Sequence, residues 1–154
     1  MEATALSPEI HHPLETFVGR WTTLGSQYQS PFGPPAEIET RESYEWLQGG
    51  EFLIHRVDGR VGDSPTACIE IIVAEGDRHR ATTYYNDGNT KQWVLRESDG
   101  AWMLSGNWTA DDSATEVRCT MEFAADKQTH RARWEWSQDG TTWQTFWNVT
   151  SSRA

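Results

Sequence analysis

Apolar and polar residues alternate with a period of two along most of the chain, between Arg20 and Thr150. Successive side chains of a β-strand point to opposite faces, so this period predicts strands. Ten such segments are separated by stretches rich in Gly, Asp, Asn and Pro, which are typical of turns. The predicted strands are Arg20–Tyr28, Ile38–Leu47, Phe52–Val57, Ala67–Ala74, His79–Tyr85, Lys91–Arg96, Trp102–Trp108, Glu116–Phe123, Thr129–Trp136 and Trp143–Thr150.

Short turns connect these predicted strands. Asp-Gly pairs, which favour tight hairpins, occur at 58–59, 87–88, 99–100 and 139–140, and the proline-rich segment 30–35 cannot lie inside a sheet. Such connections make neighbouring strands pair antiparallel, and about ten strands would leave long exposed edges unless the sheet closed. We therefore predict an all-β fold, a single antiparallel up-and-down β-barrel of about ten strands. A β-sandwich is the alternative, but it needs longer Greek-key connections.

A short helix is predicted before the barrel, over Ser7–Phe17, with Ser7 as its N-cap and Pro8 at its first position. Gly19 then lets the backbone turn sharply into the first strand. Trp21 lies two residues into that strand, where a large ring can close one end of a barrel. We assign residues 1–154 to one domain, because this length supports a single core.

The composition limits the partners and the location. The formal net charge is −10, from 23 acidic and 13 basic residues, and the basic residues do not cluster. Nucleic acid and membranes are therefore not expected as partners. The N-terminal residues lack the pattern of a signal peptide, and no apolar run reaches the about 20 residues of a membrane helix, so we predict a cytoplasmic protein. Cys68 and Cys119 lack metal or redox spacing and are predicted to be reduced, buried thiols.

Four motifs occur in order along the chain: Leu14-x-x-Phe17-Val18-Gly19-x-Trp21, Gly49-Gly50-x-Phe52-Leu53, Tyr85-x-Asp87-Gly88 and Trp136-Ser137-x-Asp139-Gly140-x-x-Trp143. In this succession the chain resembles a bacterial lipocalin-like (calycin) family of largely uncharacterised proteins, distantly similar to nitrobindin and fatty-acid-binding-protein barrels. The resemblance covers roughly residues 12–150 and implies a barrel that encloses a cavity. It also implies that Trp21 packs against a basic side chain from a late strand, for which Arg131 and Arg133 are the candidates.

The candidate site follows from the parity of the strands, because the more apolar face is expected to point inward. This rule places Ile69, Ile71 and Val73 of the fourth strand inside, with Trp143, Thr145 and Trp147 of the last. Glu42 is expected at a solvent-exposed strand end, and the parity between His79 and Trp108 stays ambiguous. No metal site and no cofactor are predicted. The predicted ligand-binding residues are Tyr44, Trp46, His55, Trp93, His130, Trp134, Trp136 and Trp147.

Nine tryptophans are more than a small barrel needs for packing, and they favour an aromatic-lined cavity. The leading hypothesis is that the barrel binds a small apolar or aromatic molecule, with a homodimer as the assembly left open. One alternative is an enzyme of the cyclase, isomerase or decarboxylase type acting on an apolar metabolite in the same cavity. The other is haem binding through one histidine, as the nitrobindin resemblance implies. His130 is the first residue to test, and we expect a neutral imidazole there because burial lowers the pKa of a histidine.

Overall fold

A closed antiparallel barrel of ten strands forms the molecule, as the sequence predicts. The computed structural model describes residues 12–110 and 113–154. Each strand pairs with the next along the chain, and the first pairs with the last, so the sheet closes without a free edge. The strands are β1 Gly19–Gln27, β2 Ala36–Trp46, β3 Phe52–Val61, β4 Ser64–Glu75, β5 Arg78–Tyr85, β6 Thr90–Ser98, β7 Ala101–Ala110, β8 Ser113–Phe123, β9 Thr129–Ser137 and β10 Gln144–Arg153.

The predicted N-terminal helix is a single 3₁₀ segment, Pro13–Phe17, within the described residues. Its N-cap is His12, whose Nδ1 accepts a hydrogen bond from the Leu14 amide at 3.2 Å. The predicted cap at Ser7 lies outside the described residues. Leu14 and Phe17 are almost fully buried and place this segment across one end of the barrel. No helix within the described residues is long and apolar enough to cross a membrane.

One predicted turn is wrong. Asp58-Gly59 lies inside β3, and the chain turns instead at Gly62-Asp63, where Gly62 has a φ of +59°. A Cβ at position 59 would lie 2.1 Å from the Glu39 carbonyl oxygen of β2. Gly59 is therefore required by the close approach of two strands, and the general preference of Asp-Gly for turns does not decide its conformation.

The predicted inward face of β4 is also wrong. Ile69, Ile71 and Val73 lie on the outer surface, and Ile69 is 44% exposed. Glu70 and Ile72 face the interior instead. Hydrogen bonds with His55 and Thr83 compensate for the burial of the Glu70 carboxylate. Two of these outer residues pair laterally with apolar residues of β3, Ile71 with Ile54 and Val73 with Phe52.

A register shift in β10 overturns a third prediction. The shift lies between Thr145 and Trp147, and it turns Phe146 into the interior next to Trp147. Trp143 and Thr145 therefore lie on the outside, although strict alternation predicts them inside. The outer position of Trp143 is marked by the Arg118 guanidinium, which stacks 3.9 Å from the centre of its ring.

Trp21 closes one end of the barrel, but its basic partner is neither Arg131 nor Arg133. Both of those arginines are exposed on the outer surface. The partner is Arg153, which lies directly opposite Trp21 in the pairing of β1 with β10. The prediction of a basic residue from a late strand is confirmed, but the predicted residues are wrong. The alternation of β9 directs its arginines to solvent.

Candidate functional site

The barrel encloses a cavity of about 300 Å³, which has side chains of every strand on its wall. The lower end of the barrel is the end that carries the 3₁₀ segment Pro13–Phe17. It is closed by rings packed around Phe17, whose centroid lies 5.3 Å from that of Trp102 and 5.1 Å from that of Phe123. Trp21 is 1% exposed beneath them, and its indole N–H donates to the Phe17 carbonyl at 2.8 Å. These contacts leave the lower end without an opening.

The opposite, upper end of the barrel is covered by the loop between β1 and β2, residues 28–35. Phe32 of this loop packs edge-on against Trp108, with centroids 4.7 Å apart, and its ring is tilted against Phe146 at 4.8 Å. Gln27 holds the loop in place, because its side-chain amide donates to the Pro34 carbonyl at 2.7 Å and accepts from the Trp147 indole N–H at 2.7 Å. A ligand that enters from this end must pass Phe32.

Aromatic rings form much of the upper wall. The Trp93 ring lies 5.5 Å from Trp108 and 5.6 Å from Trp134, both in edge-to-face contact. Trp134 in turn lies 6.3 Å from both Phe146 and Trp147. Aromatic walls of this kind are the common lining of sites that bind small apolar molecules.

A Glu–His–Glu triad crosses the middle of the cavity, where β2, β3 and β4 lie side by side. His55 Nε2 is 2.6 Å from Glu42 Oε1, and its Nδ1 is 3.1 Å from Glu70 Oε1. Both carboxylates are acceptors, so the imidazole makes both bonds only when it carries two protons. The geometry therefore describes an imidazolium held between two carboxylates.

Hydroxyl groups satisfy the outer oxygens of the triad. Glu42 Oε2 accepts from Thr23 at 2.6 Å and from Thr40 at 3.2 Å. Because the Thr23 proton is given to Glu42, the Ser151 hydroxyl 2.6 Å away is the donor in their contact. This chain of bonds links β10, β1, β2 and β3 across the interior.

A second chain of bonds runs from Glu70 into the aromatic wall. The Thr83 hydroxyl donates to Glu70 Oε2 at 2.6 Å and accepts from the Trp93 indole N–H at 3.1 Å. The triad is therefore connected to the wall through Thr83, and a ligand against Trp93 lies near a carboxylate.

The protonation of the triad follows from its contacts. Although burial opposes a charge on His55, hydrogen bonds and charge attraction from Glu42 and Glu70 raise its pKa to about 9. The pKa of Glu42 is lowered although burial alone would raise it, because His55, Thr23 and Thr40 donate to its carboxylate. At neutral pH the triad therefore contains a charged histidine.

Tyr44 lies flat against the triad. Its ring stacks on His55 with centroids 3.9 Å apart and planes within 6°. Burial, followed by the negative charges of Glu42 and Glu70, raises the pKa of its phenol well above the ordinary value. Tyr44 is thus a neutral hydroxyl that can donate to a ligand but does not act as a phenolate.

His130 lies at the lower end of the cavity, among the sealing rings. Its centroid is 4.7 Å from that of Trp21 and 4.8 Å from that of Phe123, and the residue is 6% exposed. Its Nδ1 is buried with no hydrogen-bond partner among the described residues. Burial lowers its pKa to about 4, so the imidazole is neutral, in the direction expected from the sequence.

The structure brings six of the eight sequence-predicted site residues to the cavity wall: Tyr44, His55, Trp93, His130, Trp134 and Trp147. The other two lie elsewhere. The Trp46 indole bonds to Glu15 at 3.3 Å and packs edge-on against His12, outside the cavity. Trp136 lies beside Phe32, with centroids 6.4 Å apart, and is not on the wall.

Sequence reasoning missed both acidic residues of the triad. Glu42 shares its parity with Tyr44, and this was the signal that could have placed it inside instead of at an exposed strand end. Glu70 was hidden by the isoleucines on either side of it, which made the opposite face of β4 the more apolar one. A carboxylate inside a barrel becomes plausible only when its donors on other strands are known.

The described residues do not fit the haem alternative. Within residues 12–110 and 113–154 no group of three or more His, Cys, Asp or Glu side chains is arranged to hold a metal ion. Both ring nitrogens of His55 are bonded to carboxylates, so neither is free for a haem iron. A haem also exceeds the cavity, whose volume of about 300 Å³ is at the lower limit for small-molecule sites. Cys68 and Cys119 are free thiols within the barrel, and burial raises the pKa of both.

Comparisons with known proteins place the chain in a family. The crystal structure of Rv2717c from M. tuberculosis matches with a TM-score of 0.68 over 97% of this chain and 99% of that chain, at 15% identity. At this identity the likeness supports the barrel fold alone. No curated protein matches the chain. The family model described as "Protein of unknown function (DUF1579)" matches residues 7–153, and the chain therefore belongs to the DUF1579 family.

Proposed function

We propose that this protein binds a small, largely apolar molecule in the barrel cavity. One observation carries the proposal: an enclosed space of about 300 Å³ has an aromatic wall and a small set of fixed polar groups. Pockets of about 300–1,000 Å³ with this make-up are typical of small-molecule sites, and this cavity lies at the lower limit. The ligand is therefore expected to be of one or two rings in size.

Binding is favoured over catalysis by the state of the triad. His55 has both nitrogens engaged, and a general base needs a free nitrogen within reach of its substrate. The hydrogen bonds to Thr23, Thr40 and Thr83 also hold the two carboxylates in fixed positions. Fixed polar groups of this kind orient a bound molecule without an ordering cost at the moment of binding.

Intrinsic tryptophan emission tests the proposal directly. Trp93, Trp108, Trp134 and Trp147 line the cavity, so a bound aromatic molecule should quench or shift their emission. We expect saturable titration with 1-naphthalenemethanol or 1-naphthylmethylamine. Saturation by neither compound would contradict the proposal.

A pair of variants locates the binding. Ala132 lies on the cavity wall beside Val149, its partner on β10, so Ala132→Phe should fill the cavity and weaken binding at least tenfold. Thr150→Phe adds a ring of the same size on the exposed outer face of β10 and should leave the affinity unchanged. Equal affinities in the two variants would place the compound outside the barrel.

A further inference from the structure

We infer that the ligand of this cavity carries a protonated amine, and that Glu70 receives it. The inference rests on the proposed function and specifies the chemistry of the ligand. Its basis is the balance of charge inside the barrel, the hydrogen-bonding capacity left on Glu70, and the position of the aromatic wall next to that carboxylate.

The interior has an excess of negative charge. Glu42 and Glu70 face one imidazolium at His55, and the cavity wall contains no Lys or Arg among its described residues. His130 is neutral and does not offset the difference. A buried carboxylate without a full counter-charge is costly, and a ligand cation would remove that cost.

Glu70 has capacity to accept the cation. Its Oε1 accepts one hydrogen bond from His55 and its Oε2 one from Thr83, which leaves a lone pair on each oxygen. Its side chain borders the cavity. Glu42 is less available, because it already accepts three bonds, from Thr23, Thr40 and His55.

The aromatic wall suits the same group. Trp93 is joined to Glu70 through Thr83, so an ammonium bonded to Glu70 lies close to indole rings, which attract cations. Lys91, which is not a wall residue, already uses this attraction, since its Nζ lies 4.5 Å from the centre of the Trp108 ring. The chemistry that Lys91 uses at Trp108 is thus available to a ligand further inside.

The same arrangement disfavours anionic ligands, fatty acids included. A ligand carboxylate in this cavity would meet two carboxylates and no arginine or lysine among the described wall residues. Fatty-acid-binding barrels are part of the resemblance discussed above, so this charge pattern separates the present cavity from that use.

Three compounds with one ring system test the inference at neutral pH: 1-naphthylmethylamine, 1-naphthalenemethanol and 1-naphthoic acid. Calorimetry or tryptophan emission gives the dissociation constants. We expect the amine to bind at least tenfold more tightly than the alcohol, and the acid most weakly. Equal or tighter binding of the alcohol overturns the inference while the proposed function stands. Binding of none of the three would instead remove the proposed function.

The assignment to Glu70 is tested by Glu70→Gln, with Glu97→Gln as the control. Glu97 is exposed on β6, so its substitution changes the net charge equally without reaching the cavity. We expect the amine to lose its tenfold advantage in Glu70→Gln and to keep it in Glu97→Gln. An advantage that survives in folded Glu70→Gln overturns the assignment. If Glu70→Gln does not fold, the comparison of amine and alcohol on the natural protein decides the inference by itself.

Discussion

The guanidinium of Arg153 lies 4.2 Å from the centre of the Trp21 ring and covers it at the lower end of the barrel. Its two terminal nitrogens donate to the Val18 carbonyl at 2.8 Å and the Thr16 carbonyl at 2.9 Å. One side chain near the C-terminus therefore fixes both the plug and the segment that leads into β1. Arginine suits this position because its planar group can stack and donate at the same time.

Trp21→Ala is expected to destabilise the protein by about 3–5 kcal/mol, in the range for truncation of a buried aromatic residue. The loss includes the stack on Arg153 and the hydrogen bond to Phe17. Chemical denaturation measures it. Trp143→Ala is the control, because that ring is stacked on Arg118 at the surface and its loss should cost about 1 kcal/mol. Equal losses would show that Trp21 is not a plug, and a ligand affinity that falls in the folded Trp21→Ala protein would place it in the site.

The stability of the protein should fall between pH 6.5 and pH 9 through His55. Its folded pKa of about 9 lies above the ordinary histidine value of 6.5, so its contribution is full at low pH and is lost as the pH rises through 9. A shift of this size corresponds to about 3 kcal/mol, or roughly 6–12 °C in melting temperature. His55→Gln should remove this fall, as measured by thermal melts across the range. A natural protein whose melting temperature does not fall over this range would contradict the charged triad.

His130 should produce the opposite slope on the acid side. Its folded pKa of about 4 lies below the ordinary value, so folding is opposed as the pH falls from 6.5 towards 4 and the unfolded chain takes up the proton. At pH 5 this costs about 2 kcal/mol. His130→Phe, which keeps a ring beside Trp21 and Phe123, should lose less stability between pH 7 and pH 5 than the natural protein. The same loss in both proteins would show that His130 is protonated in the folded state.

Two glycines of Asp-Gly pairs should respond to alanine for different reasons. Gly59→Ala places a methyl group 2.1 Å from a backbone oxygen of β2, so we expect a loss of several kcal/mol or failure to fold. Gly88→Ala meets no atom within 4 Å and suffers only from its φ of +87°, at a cost of about 1–2 kcal/mol. Denaturation of the two variants compares them. A smaller loss at position 59 would contradict the placement of Gly59 between two strands.

The sequence was sufficient for the architecture because the alternation and the turn signals repeat ten times and agree with one another. It was insufficient for the site, because tertiary contacts there override the local alternation of inward and outward side chains. The isoleucines on either side of Glu70 predicted that this residue faces outward. Only the donors on β3 and β5 explain why its carboxylate lies inside. A single bulge residue of β10, Phe146, inverted the parity of Trp143, which directly precedes the strand, and nothing in the local pattern marks that bulge.

The apolar outer face of β4 has a consequence for how the barrel selects its strand alignment. A shift of β4 by one residue would exchange its two faces, moving Ile69 and Ile71 inward and Glu70 outward. The outer face is the more apolar one, so burial of hydrocarbon alone would favour the shifted alignment. The bonds of Glu70 to His55 and Thr83 exist only in the observed one. If these bonds select the alignment, the Glu70→Leu variant should refold more slowly or more heterogeneously than the Ile72→Val variant. The buried carboxylate of Glu70 therefore selects the strand alignment in which the barrel closes.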